Sequence, residues 1–206
     1  MQGYDFYQSY RRVIEVFPGG YNTAPMRCDL NIRRFGAMTA AAIIIAVGLP
    51  APVNSAANPK DRTLSFYHTH THKTLQITYK RNGEYVDSAL ASVNDFLSDF
   101  RTGDVVDVDP RLLDLIYDLR ESLASTGTFE VISAYRSPRT NEMLRSKSSG
   151  VARRSQHMLG KAIDVRLRGT KTSALRDAAL AMRRGGVGYY EASDFVHVDT
   201  GRVRRW

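Results

Sequence analysis

The stretch Ser155-Gln156-His157-Met158-Leu159-Gly160-Lys161-Ala162-Ile163-Asp164 restricts this chain more than any other. It sets an imidazole, a glycine and a carboxylate at the head of an alternating run. A second stretch, Asp194-Phe195-Val196-His197-Val198-Asp199, sets another imidazole between acids. Residues 161–167 alternate, with Ala162, Asp164 and Arg166 on one face and Ile163, Val165 and Leu167 on the other. Residues 195–199 alternate as well. If the two runs pair as strands, Asp164 and His197 share a cleft while Ile163, Val165, Val196 and Val198 enter the core. Gly160 falls where a turn is easiest without a Cβ.

That donor set has a chemistry. His157, Asp164 and His197 supply two imidazoles and one carboxylate, which leaves one corner of a tetrahedral Zn2+ site open, as in catalytic rather than structural zinc sites. A single histidine carries no such message, since most are ordinary polar residues; the joint spacing does. His68, His70 and His72 also share a face at period two. No carboxylate or cysteine stands beside them, so they read as exposed or loop residues.

Upstream of the cleft, residues 63–67 and 75–79 read as strands, and Asn82-Gly83 as a two-residue hairpin turn. Residues 88–100 form an amphipathic helix. Asp109-Pro110 and Ser137-Pro138 each read as a cap followed by a first helical residue. Residues 129–133 are a central strand, so Arg136 sits at a strand-to-helix junction, where a planar guanidinium can meet a carbonyl or carboxylate. Residues 172–184 form a helix ended by Gly185-Gly186, and 187–190 a short strand. The expected class is α+β: an antiparallel sheet with helices packed on one side.

The first 57 residues differ in kind. Arg33-Arg34-Phe35 precedes an apolar run at 36–49, followed by small residues. The run is short for a membrane span and suits the core of a signal peptide. Residues 1–57 are therefore expected to be an N-terminal extension with a Sec or twin-arginine signal, beginning at Met1 or Met26. The segment contacts a membrane only if it is not cleaved. Residues 58–206 form the domain proper, expected to act as a monomer in the periplasm or cell envelope. The lone Cys28 excludes an intrachain disulfide. The net charge of +8, carried mostly by residues 58–206, suits an anionic partner such as a cell-wall polymer. Its basic residues are scattered and match no nucleic-acid motif, so no nucleic-acid partner is expected.

At Ile132-Ser133-Ala134-Tyr135-Arg136-Ser137-Pro138, at 155–164, at Gly185-Gly186-Val187-Gly188-Tyr189-Tyr190 and at 195–201 the chain resembles the zinc D,D-peptidases of peptidase family M15. It is most similar to the exported branch once called DUF882, with its murein endopeptidases of the YcbK/MepK type. The resemblance spans roughly residues 63–206. It implies an M15/hedgehog-like zinc peptidase fold, zinc on His157, Asp164 and His197, and hydrolysis of an amide bond in peptidoglycan stems or cross-links, as an endopeptidase or a D,D-carboxypeptidase. It implies Asp194 as catalytic acid–base residue and Arg136 as the group that stabilises the scissile carbonyl; Asp199, two residues past His197, is a candidate either to support a ligand or to act as a rival base. Many relatives carry Glu where Asp194 stands. A non-catalytic wall-binding domain that keeps the fold is the alternative.

Overall fold

The computed structural model describes residues 60–148 and 150–206. The expected signal segment, its apolar core at 36–49 and the 57/58 boundary lie outside the described residues. No helix among the described residues is long and apolar enough to cross a membrane.

Eight strands build one sheet: β1 (Arg62–His68), β2 (Thr74–Arg81), β3 (Glu84–Tyr85), β4 (Phe129–Ser133), β5 (Ala162–Leu167), β6 (Gly186–Tyr190), β7 (Phe195–Asp199) and β8 (Arg204–Arg205). Their spatial order is β3-β2-β1-β4-β5-β7-β6-β8. The helices among the described residues are α1 (Asp87–Phe96), α2 (Pro110–Ser122), α3 (Pro138–Lys147) and α4 (Thr172–Met182). The class is α+β, as expected. The sheet is mixed rather than antiparallel, however, because β1 runs parallel to β4 and β6 parallel to β8. The reason is connection length. The β1–β4 crossover contains a hairpin and two helices, long enough to bring β4 alongside β1 in the same direction.

Local signals explain most elements. Asn82 and Gly83 both take positive φ, 52° and 89°, as a hairpin turn matched to strand twist requires. Asp109 caps α2 by accepting the Arg111 N–H, and Ser137 caps α3 by accepting the Thr140 N–H. Helix α1 stops at Phe96, short of the expected residue 100. Leu97 closes it, and the chain turns through Gly103 while the Asp99 carboxylate accepts the Ser137 N–H at 2.9 Å. That buried bond ties the α1 exit to the β4–α3 junction. Helix α4 ends at Met182, with Arg183 rather than a glycine in the left-handed conformation (φ 52°).

The core lies on one face of the sheet. Leu64 and Phe66 of β1, Val131 of β4, Ile163 and Val165 of β5, and Val196 and Val198 of β7 meet buried residues of α1, α2 and α4. Helix α3 contributes no residue to this cluster. The opposite face of β4, β5 and β7 is left to carry polar side chains.

Candidate metal centre

Strand register assembles the site. Asp164 pairs with His197 across β5 and β7, and Ser133 pairs with Asp164 across β4 and β5. Period-two alternation sends Asp164 and His197 to the face opposite the core, and a register shift between Val131 and Ser133 brings Ser133 onto that face beside Asp164. His157 arrives from the 3-10 turn Gln156–Leu159, whose N-cap Ser155 accepts the His157 N–H at 3.3 Å. Gly160 closes that turn with φ 64°, and an added Cβ would lie 2.6 Å from the Asp107 carbonyl.

His157, Asp164 and His197 are buried, and each offers one ligand atom to a common point. Among the described residues this is the only such group of His, Cys, Asp or Glu. His157 Nε2 lies 3.1 Å from His197 Nδ1 and 3.2 Å from Asp164 Oδ1, and His197 Nδ1 lies 2.8 Å from Asp164 Oδ1. The other ring nitrogens fix the tautomers. His157 Nδ1 is 2.6 Å from the Ala134 carbonyl, which can only accept, so Nδ1 carries the proton. His197 Nε2 is 2.9 Å from the Asp199 carboxylate and donates to it. The inward atoms are therefore lone pairs facing lone pairs, an arrangement that calls for a cation or a shared proton at its centre. Histidines backed by a carbonyl and a carboxylate are the usual support of metal-bound imidazoles. The donor set thus fits a divalent ion.

The two imidazoles differ in their hold on a proton. Burial disfavours charge on His157 and lowers its pKa. At His197 burial acts the same way, but bonds to Asp164 and Asp199 outweigh it and raise the value. Burial would raise Asp164; the neighbouring histidines outweigh it and hold the carboxyl well below the usual range.

Arg136 reaches the site from the β4–α3 junction. Its Nη2 donates to Asp164 Oδ2 at 2.6 Å and its Nε to Ser133 Oγ at 2.9 Å. Asp194 is not brought to the ligand atoms. It sits at φ 51°, closing the 3-10 turn Glu191–Ser193, a conformation that Asp tolerates better than most residues. Its carboxylate accepts from Thr172 Oγ1 at 2.7 Å and lies 3.5 Å from Arg166 Nη1. Asp199 is wholly buried and committed: besides His197 it accepts from the Gly186 and Gly201 N–H groups and from Arg204 at 2.6 Å.

Trp206 also belongs to the site's surroundings. Its ring centroid is 5.1 Å from that of His197, and its Nε1 donates to Tyr190 Oη at 2.9 Å. Gly188, paired with His197, makes room for it, since an added Cβ would lie 2.6 Å from the indole. The sequence marks Trp206 only as an aromatic end to a basic tail. Ser133 was not legible, because alternation alone would place it with the core residue Val131 and only the register shift in β4 brings it beside Asp164.

Of the three histidines at period two, His70 and His72 are exposed loop residues as expected, and His68 differs. His68 is buried rather than exposed: its Nδ1 accepts from the His70 N–H at 3.2 Å, and its ring packs edge-on against Phe96 and Phe100. Burial, helped by nearby cations, pushes its pKa down to about 4. His70 stacks on Phe100, with centroids 4.4 Å apart.

Comparison with known proteins agrees with this geometry. Residues 55–206 match the family model described as peptidoglycan L,D-endopeptidase MepK. The chain is 38% identical to the peptidoglycan L,D-endopeptidase MepK of Escherichia coli K12 over 179 residues, 86% of this chain and 98% of that protein. It is 35% identical to the probable peptidoglycan L,D-endopeptidase MepK of Haemophilus influenzae, over 86% of this chain and 96% of that one. No solved structure matches. The chain therefore belongs to the peptidoglycan L,D-endopeptidase MepK family of M15-type peptidases.

Proposed function

We propose that this protein is an exported, zinc-dependent endopeptidase that hydrolyses an amide bond within the cross-linked peptides of peptidoglycan. The observation that carries the reading is the triangle of ligand atoms from His157, Asp164 and His197, all within 3.2 Å of one another. Family membership supports the substrate class, and the basic charge suits an anionic polymer.

A zinc ion held by these three residues supplies Lewis acidity toward a carbonyl and lowers the pKa of water. The chain's own residues do the rest. Ala134 and Ser155 hold His157, and Asp199 holds His197, so both rings keep their ligand nitrogens turned inward. Arg136 turns a guanidinium toward the site and meets the oxygen that gains negative charge as the amide is attacked. Asp194 serves as base, taking the proton of the attacking water and passing it to the leaving amine. To do so its carboxylate must exchange Thr172 and Arg166 for that water. The buried, fully bonded Asp199 is the poorer candidate and acts as a positioning residue.

The contacts of Asp194 also favour a second reading, a domain that binds the wall without cutting it. Digestion of purified peptidoglycan with and without chelator, followed by mass spectrometry of the released muropeptides, separates the two. Metal-dependent release of cleaved cross-links is expected; binding with no new products would establish the second reading.

A further inference from the structure

Beyond the ligand row, the polar face of the sheet continues into a second row of different chemistry. Ser133, Asp164 and His197 align across β4, β5 and β7. Farther along, Glu130 pairs with Arg166 across β4 and β5, and Tyr190 with Phe195 across β6 and β7. Alternation keeps Arg166 on the face of Asp164, about 7 Å farther along β5. Tyr190 and Phe195 stack with ring centroids 4.5 Å apart.

Arg166 is loosely held for a guanidinium in such a place. Its Nε is buried without a hydrogen-bond partner among the described residues. Its acid neighbours stand off: Glu130 Oε2 is 3.5 Å from Nε, and Asp194 Oδ2 is 3.5 Å from Nη1. Both acids have shorter commitments, Glu130 to Arg168 at 2.8 Å and Asp194 to Thr172 at 2.7 Å. Arg136, by contrast, is anchored on Asp164 at 2.6 Å. The side chain of Arg166 remains 32% exposed. A planar group with donors to spare and an open edge matches a carboxylate. A separation of about 7 Å is two residues of extended peptide, or one long side chain.

We propose that Arg166 is a specificity-determining residue that takes a free carboxylate of the stem peptide beside the scissile amide. This rests on the peptidase reading above and names the feature of the substrate that the site selects. The free acids of peptidoglycan stems are the ligand class; the Tyr190–Phe195 pair walls the same row.

The test uses the full chain loaded with zinc and two synthetic cross-linked stem peptides, one with free carboxylates and one with those carboxylates amidated. Wild type is expected to prefer the free acid by roughly tenfold or more in KM, the scale of a charge-assisted hydrogen bond. Arg166→Gln is expected to erase that preference by raising KM for the free acid alone; any change in kcat that comes through its contact with Asp194 is expected to be the same for both peptides. Arg166→Lys keeps the charge without the fork and is expected to fall between them. A preference in KM that survives Arg166→Gln, or an equal rise in KM on both peptides, overturns the proposal. Trp206, the chain's one tryptophan, lies beside His197, so quenching of its fluorescence reads binding independently of turnover. If wild type cleaves neither peptide, the peptidase reading falls, while the quenching titration still decides whether Arg166 selects the carboxylate.

Discussion

Asp114 and Asp164 are both carboxylates set against this sheet, and their surroundings are opposite in kind. Asp114 is met by donors only: Arg62 at 3.0 Å, Tyr79 at 2.9 Å, Lys80 at 3.1 Å and Tyr85 at 2.6 Å. Every lone pair there has a proton aimed at it, and burial, which would raise the carboxyl, is outweighed by the bonds from Tyr85, Lys80 and Tyr79. Asp164 has a donor on one oxygen, Arg136. Its other oxygen faces two imidazole nitrogens whose protons are already spent on Ala134 and Asp199. The Asp114 cluster is complete without help, so it stabilises. The Asp164 cluster gathers three ligand atoms on one point, which suits a bound cation. A ligand site is recognised here by a surplus of acceptors, not by burial or by the number of contacts.

Substitutions should pull the two clusters apart. The largest effect is expected at the ligands: His157→Ala abolishes muropeptide release from purified peptidoglycan while the fold persists by circular dichroism. Next comes Arg136→Ala, expected to lower kcat by ~10²–10³ with metal content unchanged, as for loss of an oxyanion donor. Asp199→Asn is expected to weaken metal affinity by ~10–100-fold, measured by competition with a chelator, because it supports the metal through His197. On the other side of the comparison, Asp114→Asn is expected to cost about 2 kcal/mol of folding stability in urea titration and to leave kcat untouched. If it instead changed metal content, the division between the two clusters would fail.

The smallest effect is a pH dependence of the same pair of proteins. The Asp114 carboxyl is held below its ordinary value in the folded chain. Its contribution is therefore present above about pH 4, the unfolded value, and fades as pH falls through the lower folded one. The stability gap between wild type and Asp114→Asn should narrow on acidification in that window. A gap that widened would mean that the donors around Asp114 do not favour its ionised form.

How much of this was legible in the chain depends on the range of the interaction. Period-two alternation at 161–167 and 195–199 was enough to foresee that Asp164 and His197 share a face, and their direct pairing follows. Asn82-Gly83, Asp109-Pro110 and Ser137-Pro138 act over a few residues and appear where expected. The parallel β1–β4 contact was not legible, because it depends on a long crossover rather than on either strand's own residues. The burial of His68 depends on Phe96 and Phe100, which arrive from α1 and its exit turn. Asp194 shows the same limit within the candidate site. The family resemblance implies a catalytic place for it, but a left-handed backbone turns its carboxylate to Thr172 and Arg166. Asp199 was visible as a candidate in two roles; its burial and its bonds to Arg204, Gly186 and Gly201 favour the supporting one.

The metal content of the purified chain tests the central claim most directly. Mass-spectrometric elemental analysis after dialysis is expected to find one zinc per chain in wild type and none in Asp164→Ala. Wild type that folds and cleaves peptidoglycan without bound metal, or Asp164→Ala that keeps a full equivalent, would contradict the account.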